Sequence, residues 1–543
     1  MTATTTAGTS GTAGTAETAG SASPAARPRT EAEARRDGHV AAAAYGLRQR
    51  LRAGLDALQV PVEDVPGALD RPDGIGESAG VLLDAFCRRV AETGAEDEVW
   101  LLLTLVLGEF PDEATVLATR RRVVTGTPAE TAVFLLSTAT ATRGARPDLG
   151  TNAVVLQDTV LVDVDFCATS EHHTGIQRVV RETVPLWAVH HPLVLTGWWS
   201  DRPAYRPLLP HEVSRVVEWG GRPSSYREPV DAAQPDAMLV PWRCHVVLPE
   251  TPSPDRSPAL AALGRCSGNR LSLVGYDCIP LVSPELVHPG MPDRFMEYLT
   301  VVKHSHAVAG ISASATEEFA AFADMLGAQG LDGPVVSEVS LPEARPAGQA
   351  TTGEATSLGR EHPDGPLVVC IGSFEPRKNQ VSVLLAAERL WREGLRFRLR
   401  FIGGGGYRTE FDDLLARLRA AGRSVDVLVQ ASDEDLLASY EQARFTVFVS
   451  FHEGYGLPVT ESLAHGTPVL TTSYGSTAEI AALGGCLVAD PRDHEDVRAQ
   501  MHRLLTDDAL VARLQDESAA RPPTSWDRYA EDTWRVLVEE VQP

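Results

Sequence analysis

The chain has 543 residues, 43% of them hydrophobic, which is enough for two or three domains with cores of their own. It carries 49 Lys and Arg against 73 Asp and Glu, which gives a net charge of −24. A field of that sign repels phosphate backbones and anionic lipid surfaces, so the composition argues against a nucleic-acid partner.

The cysteines and the apolar runs restrict the compartment and the class of protein. Seven cysteines are scattered along the sequence without a Cys-x-x-Cys spacing: Cys87, Cys167, Cys244, Cys266, Cys278, Cys370 and Cys486. Such an arrangement indicates reduced thiols and a cytoplasmic location, and it predicts no metal site. The most apolar run, residues 99–107, is shorter than the roughly 20 residues that cross a bilayer, so we expect no stable membrane insertion.

The first third of the chain reads as a tail followed by helices. Residues 1–36 are rich in Thr, Ala, Gly and Ser and lack the apolar core of a signal peptide, which predicts a disordered tail. Residues 37–150 contain Ala-, Leu- and Arg-rich stretches separated by Pro and Gly, which predicts a helical extension.

Two alternating α/β patterns follow the helical extension. Short β-branched runs alternate with helical stretches over residues 151–342, where Ser314 and Glu317 have the spacing of a capping box. A polar stretch, 343–366, is the predicted linker to a second such domain, 367–525, and residues 526–543 form a final helix. The predicted fold class is therefore α/β, with two Rossmann-like domains facing across a cleft.

The first motif with chemical meaning follows a buried strand of the second domain. Gly372 ends that strand, and Arg377 and Lys378 stand just before a predicted helix. Free N–H groups at a helix start and two cations favour a diphosphate, and they would stabilise the charge on a departing nucleoside diphosphate. An isolated Arg-Lys pair is more often a solvated surface pair, but the strand and glycine before it favour the phosphate site.

The second motif, residues 450–469, places Glu453 on a loop and Glu461 in a short helix. Gly454 and Gly456 permit a close approach of the backbone to a ligand. Two carboxylates at this spacing can hold hydroxyls at both ends of a sugar nucleotide, one on the sugar and one on the ribose. The glutamate pair alone is a weak signal, but the Gly-x-Gly-Leu-Pro turn between its members makes the combination strong.

These motifs resemble glycosyltransferase family 4, a family of retaining enzymes with the GT-B fold, over about residues 154–534. The resemblance implies transfer of a sugar from a nucleoside diphosphate sugar to an acceptor hydroxyl, with retention of configuration. It implies that Glu453 contacts the donor sugar, that Glu461 contacts the ribose, and that Arg377 and Lys378 hold the diphosphate. The backbone approaching the donor would then be that of Gly454, Tyr455, Gly456 and Leu457.

The first domain matches the same family more loosely. Gly175 lies in a segment similar to the family's first loop and helix, where a glycine lets the backbone approach the donor phosphate and the acceptor. Tyr276 stands where many members carry a histidine, and Asp277 after it is a candidate for positioning the acceptor. A structural glycine and an ordinary aspartate at a strand end are the alternatives.

Three further patterns leave two interpretations open. Asp163 and Asp165 have the Asp-x-Asp spacing of metal-dependent glycosyltransferases of the other large fold, but strand ends carry such pairs routinely, so we predict no metal. His172 and His173 are either solvated or placed to orient an acceptor hydroxyl. The glycine run 403–406 fits either a close approach to a nucleotide or a flexible turn.

The sequence leaves the substrates and two rival functions open. We predict no cofactor besides the sugar nucleotide as co-substrate; the acceptor is a glycan, a lipid-linked glycan or a small molecule, and homo-oligomerisation is possible. One rival is an epimerase or hydrolase of the same fold. The other is a non-catalytic sugar-nucleotide-binding or scaffold protein that binds a partner through the helical extension. We expect removal of residues 1–145 to inactivate a scaffold but not an enzyme.

Overall fold

The computed structural model describes residues 31–62, 74–143, 150–224, 226–227, 236–343, 363–406 and 408–541. Most of the predicted tail, 1–30, and most of the predicted linker, 344–362, lie outside these residues. The first helix begins at Glu31, so the last six residues assigned to the tail are helical. All seven cysteines are free thiols, as their spacing predicts.

Five helices form the N-terminal part of the chain. They are α1 (Glu31–Ala57), α2 (Ile75–Thr93), α3 (Glu96–Leu107), α4 (Glu113–Thr125) and α5 (Pro128–Arg143). Helix α3 contains the apolar run that is too short for a membrane span, and ten of its twelve residues are buried. In the described part of the chain, no helix combines the length and apolar character that crossing a bilayer requires.

The next domain is built on a nine-stranded sheet. Its strands are β1 (Ala153–Leu156), β2 (Val160–Asp163), β3 (Val194–Trp198), β4 (Tyr205–Pro207), β5 (Met238–Pro241), β6 (His245–Leu248), β7 (Arg270–Gly275), β8 (Ala307–Gly310) and β9 (Val335–Glu338). Their order is β1-β5-β4-β3-β2-β6-β7-β8-β9, and β4 is antiparallel to its neighbours. The helices are α6 (Asp165–Thr169), α7 (Gly175–His190), α8 (Pro210–Val217), α9 (Ser257–Cys266), α10 (Ile279–Val282), α11 (Met291–Lys303) and α12 (Ala313–Ala328).

The second domain has a six-stranded parallel sheet. Its strands are β10 (Leu367–Ile371), β11 (Arg398–Ile402), β12 (Val425–Leu428), β13 (Ala443–Phe448), β14 (Val469–Thr472) and β15 (Cys486–Ala489). Its helices are α13 (Gln380–Arg392), α14 (Thr409–Ala420), α15 (Asp433–Gln442), α16 (Leu457–Ala464), α17 (Gly475–Ala481), α18 (His494–Thr506) and α19 (Asp508–Ala519). Counted from β10, the strand order is 3-2-1-4-5-6, that of a Rossmann fold. The predicted fold class is confirmed.

The helical extension and the first sheet share one hydrophobic core. Because successive strand residues point to opposite faces, Val246 and Leu248 of β6 pack against the core that contains α3, whereas Val247 packs on the other side. The ring of Phe110, just after α3, lies 5.3 Å from the ring of Tyr205 in β4. The extension therefore shares the cover of one face of the first sheet with α9 and α11.

The end of the chain covers the opposite face. Helix α20 (Trp526–Trp534) continues into a π-helical turn, Arg535–Glu539, and both belong to the second core of the first domain. The indole N–H of Trp187 in α7 donates to the carbonyl of Ala530 at 2.8 Å. The last helix thus returns from the second domain to the first.

The capping box predicted at Ser314 is wrong. The N-cap of α12 is Ser312, whose hydroxyl oxygen accepts from the N–H of Ala315 at 3.0 Å. The N–H of Ser314 donates instead to the carboxylate of Glu479 at 2.8 Å, and Glu479 lies in the second domain. A distant carboxylate has taken the position at the helix start that a local one was expected to fill.

Candidate active site

The two chemical motifs lie at the point where the strand order of the second sheet reverses. Strands β10 and β13 are neighbours there, although 71 residues lie between the end of β10 and the start of β13. The loop after β10 carries Arg377 and Lys378, and the loop after β13 carries Glu453. Ligands of open α/β sheets bind at such a switch point, so the structure brings the predicted site residues together where a ligand is expected.

Glycines let the loops at this edge pack against one another. Gly372 has a φ of 141°, and a Cβ on Gly403 would collide with its carbonyl oxygen. A Cβ on Gly406 would collide with the carbonyl of Phe374. The glycine run 403–406 therefore permits contact between two loops of the protein, which neither interpretation of the run anticipated.

Glu453 is held by both cations of the first motif. Its carboxylate accepts from Lys378 Nζ at 2.6 Å and from Arg377 at 2.8 Å. Burial alone would raise the pKa of Glu453, but Lys378 and Arg377 lower the pKa to about 2. Burial lowers the pKa of Lys378, and Glu453 opposes that shift. These three side chains form a compact ionic cluster.

Glu461 lies in α16, as predicted, and has partners from both domains. Its carboxylate forms an ion pair with Arg178 of α7 and accepts from the hydroxyl of Tyr440 at 2.6 Å. The side chains of Arg178 and Glu461 are 8% and 16% exposed, so water screens this pair weakly. Arg178 stands four residues after Thr174, the N-cap of α7, which places it on the first turn facing the second domain.

Gly175 and Asp277 bring the first domain to the same place. A Cβ on Gly175 would lie 3.3 Å from the side chain of Leu457, and a Cβ on Gly454 would collide with the carbonyl of Tyr276. Burial raises the pKa of Asp277, whereas Arg377 lowers it. Gly454 is therefore close to the backbone of the opposite domain, which accounts for a glycine at this position without a ligand.

The side chains of two tyrosines at candidate positions have structural roles. The hydroxyl of Tyr276 donates to the carbonyl of Pro249 at 2.6 Å, and that of Tyr455 donates to the carbonyl of Leu341 at 2.6 Å. Both rings are buried. Tyr276 therefore does not present a group equivalent to the family's histidine, and Tyr455 offers a ligand only its backbone.

The remaining loop candidates also have internal partners. The guanidinium of Arg181 donates to the carbonyl of His172 at 2.9 Å and lies 3.0 Å from Nδ1 of His173. The ring of His173 stacks on Trp219, with the ring centroids 5.4 Å apart. This arrangement fixes the loop that precedes α7. Both histidines are nevertheless exposed, so the loop remains open to solvent.

The Asp163 and Asp165 pair holds strands together. Asp163 accepts from the indole N–H of Trp198 at 2.7 Å and from Tyr205 at 3.2 Å, and its burial raises its pKa to about 8. Asp165 accepts from the backbone N–H of Trp198 at 2.8 Å. Among the residues that the structure describes, no group of three or more His, Cys, Asp and Glu has a metal-binding arrangement.

Hydrogen bonds close the two domains around the site. Ser312 donates to the carbonyl of Gly454 at 2.7 Å, and Glu479 accepts from two N–H groups at the start of α12. His452 of the second domain lies 2.6 Å from Glu318 and 3.1 Å from Ser283, both in the first domain. The structure is therefore a closed form of the two-domain chain.

The contact between His452 and Glu318 makes closure depend on pH. The hydrogen bond to Glu318 raises the pKa of His452, with the carboxylates of Asp277 and Glu453 acting in the same sense. Because the pKa of His452 is raised in the folded state, the stabilisation from this contact is complete below the ordinary histidine pKa near 6.5. The stabilisation is lost as the pH rises through the raised pKa. We expect the difference in melting temperature between wild type and His452→Gln to shrink from pH 6 to pH 9. A difference that is constant with pH would contradict this, and His494→Gln, on an exposed helix start, is the control.

A cavity of about 900 Å³ opens beside the ionic cluster. Its second-domain side includes His452, Glu453 and the start of α17, where the hydroxyl of Ser476 donates to the carbonyl of Glu453 at 2.8 Å. Its first-domain side is formed by α10, α11 and α12. A volume of this size holds one or two sugar rings with the groups attached to them.

Residues 359–521, which contain these motifs, match the family model described as glycosyl transferases group 1. We name residues 359–521 the group 1 domain after this match. The chain is similar to the serotype-specific mannosyltransferase WbdA of Escherichia coli, with 28% identity over 59% of this chain and 40% of that protein. It is 39% identical to O-antigen chain mannosyltransferase B of Escherichia coli over 26% of this chain and 36% of that protein. It thus spans less than half of the curated relatives it matches.

Among solved structures, the chain resembles sucrose-phosphate synthase from Thermosynechococcus elongatus with a TM-score of 0.48 and 15% identity. That alignment covers 71% of this chain and 99% of the other. The match to the group 1 family lies in the second domain, and it includes Arg377, Lys378, Glu453 and Glu461.

The group 1 domain has further partners at the site that the sequence motifs do not identify. Arg178, Tyr440 and Glu318 contact Glu461 or His452 from other elements, and Glu375 accepts from Arg377 at 2.7 Å. Only the position of Glu375, two residues before Arg377, gave a local signal. Arg178 lies 283 residues from its partner, a separation that no periodicity reports.

Proposed function

We propose that this chain is a retaining glycosyltransferase that moves a sugar from a nucleoside diphosphate sugar to an acceptor hydroxyl. The observation that supports it most directly is the cluster of Arg377, Lys378 and Glu453 at the strand switch of the group 1 domain. Seven free thiols fit a reducing compartment, and we place the chain in the cytoplasm.

The two cations can hold a diphosphate while they hold Glu453. An ammonium group has three N–H donors and a guanidinium has five, and the cluster uses only some of them. Because the side chain of Lys378 is only 10% exposed, its charge acts on a bound phosphate with little screening. The pair would therefore stabilise the negative charge that a leaving nucleoside diphosphate develops, without a metal ion.

The resemblance to family 4 implies the course of the reaction. The bond between the anomeric carbon and the phosphate oxygen breaks, with positive charge developing on the sugar. The acceptor hydroxyl attacks from the face that the leaving group vacates, and its proton passes to a phosphate oxygen. Glu453 would hold hydroxyls of the donor sugar, and Glu461 would hold the ribose once its contact with Arg178 or Tyr440 opens.

The relatives bear on which sugar the donor carries. The relatives named as mannosyltransferases make a mannosyl donor the first candidate for this chain. Lys378 and Arg377 already pair with Glu453, and an uncharged donor sugar needs no further cation. The arrangement is therefore compatible with any uncharged hexosyl group.

Calorimetric titration tests the proposal. The purified chain is titrated with UDP, GDP, ADP and dTDP, each with and without EDTA. We expect one nucleotide to bind selectively and EDTA to have no effect. If none of them binds, the transferase proposal fails and a scaffold role is the remaining interpretation; if EDTA abolishes binding, a metal ion takes part.

Glu461→Ala is expected to weaken binding of the selected nucleotide by about 10-fold or more, because hydrogen bonds to charged groups contribute about 1.5–3 kcal/mol. The same titration measures this effect. Glu434→Ala, which removes an exposed carboxylate of α15, is the matched control and should bind like wild type. Equal affinity in Glu461→Ala and the control would remove Glu461 from the nucleotide site.

A further inference from the structure

The cavity beside Glu453 has two chemically different parts. Its inner end is polar and contains Ser283, Glu318, His452 and Glu453. Its first-domain side also has an apolar part, to which three consecutive helices contribute: Leu281, Val282, Met296, Leu299, Phe322 and Met325. A molecule that fills the cavity therefore contacts polar groups at one end and hydrocarbon along the other.

The apolar wall is exposed to an unusual degree. Val282, Met296 and Met325 are 56%, 54% and 61% exposed, and all three line the same cavity. Single exposed hydrophobic residues are normal, but a contiguous set around a cleft indicates a ligand or interaction site. Methionine side chains are flexible and adapt to hydrocarbon of irregular shape.

The charges at the cavity restrict the polar end of its occupant. Glu285, Glu317, Glu318 and Glu453 line the cavity, whereas Arg492 is the cation in that lining. Glu453 is paired with Lys378 and Arg377, and Glu318 is paired with His452, so Glu285 and Glu317 against Arg492 leave a negative field. Such a field disfavours an anionic group inside the cavity and accepts an uncharged one that carries hydroxyls.

We propose that the acceptor is an amphiphile, with an uncharged, hydroxyl-bearing head at His452 and Glu453 and a hydrocarbon segment along the wall formed by Met296 and Met325. This proposal rests on the proposed function, because the donor sugar at Glu453 determines where the acceptor hydroxyl must lie. A free sugar or a wholly hydrophilic polysaccharide would leave the apolar wall in water and gain nothing from it.

Binding of alkyl glycosides to the full chain tests the proposal. The probes are octyl and methyl α-mannoside, octyl and methyl β-glucoside, and octyl phosphate, each below its micelle concentration and measured by calorimetry. Each buried methylene increases affinity about 4-fold, so we expect at least one octyl glycoside to bind about 30-fold tighter than its methyl partner. Octyl phosphate should bind more weakly than that octyl glycoside.

Paired variants locate the chain of the probe. The double variant Met296→Gln and Met325→Gln should lose about 10-fold in octyl-glycoside affinity while methyl-glycoside affinity stays unchanged. Met291→Gln is the control, because Met291 is an exposed methionine at the start of the same helix α11 and does not line the cavity. Equal binding of octyl and methyl probes, no binding of any octyl probe, or an unaffected double variant overturns the proposal.

The nucleotide titration distinguishes failure of the amphiphile acceptor from failure of the transferase function. If an octyl glycoside binds at the methionine wall but no nucleotide binds, the amphiphile site stands and the transferase function fails. If a nucleotide binds but octyl and methyl probes bind alike, the transferase function stands and the acceptor is not an amphiphile.

Discussion

Lys378→Ala should lower kcat by about 100- to 1000-fold while the affinity for the nucleotide falls much less. Removing one preorganised donor from a developing negative charge typically costs that much in turnover. Arg377 remains beside Glu453 in the variant, so the carboxylate does not become a buried charge without a partner. Steady-state kinetics with the donor identified by calorimetry gives kcat and KM separately, and the same titration gives the affinity.

The composition of the chain supplies an unusually clean control for this variant. Lys378 and Lys303 are the two lysines of the sequence. Lys303→Ala removes the other ammonium group from α11, away from the ionic cluster, and should leave kcat unchanged. Equal kinetics in the two variants would show that Lys378 does not act on the leaving group.

Gly454→Ala should lower kcat/KM by about 100-fold with little change in the melting temperature of the separate domains. Its Cβ would collide with the carbonyl of Tyr276, so the two domains cannot approach as closely as they do here. A displacement of about 1 Å between reacting groups can cost that factor. Kinetic measurement together with small-angle scattering checks both the activity and the predicted opening of the cleft.

Gly327→Ala is the matched glycine control. Gly327 lies near the end of α12, and a Cβ built there meets nothing within 4 Å. The change should be neutral or slightly stabilising, since alanine favours helix over glycine by up to about 1 kcal/mol. If Gly454→Ala behaves like this control, the contact with Tyr276 does not limit closure.

The sequence predicts the second domain closely because its signals are local. The range assigned to this domain, 367–525, begins with strand β10 and contains every described strand of the second sheet. Short apolar runs between glycines and charged helical stretches determine each element there. The positions of Glu453 on a loop and Glu461 in a helix follow from the same local pattern.

What the sequence could not predict depends on contacts between distant segments. The pairing of Arg178 with Glu461 and the role of Glu479 at the start of α12 both join the two domains. The predicted capping box failed for this reason: Ser314 and Glu317 had suitable spacing, but Glu479 was closer to the free N–H groups. Spacing along one segment carries no information about which residue of another domain comes near.

The core shared by the helical extension and the first sheet limits what the activity of a truncated protein can show about its function. Without residues 1–145, apolar residues that share a core with the extension, among them Leu161 and Val246, would lose part of their cover, and the product would tend to aggregate whether or not the chain is an enzyme. Loss of activity on such a truncation therefore does not distinguish a scaffold from a transferase. The extension is part of the body that holds the cleft, and a functional fragment must retain its buried residues.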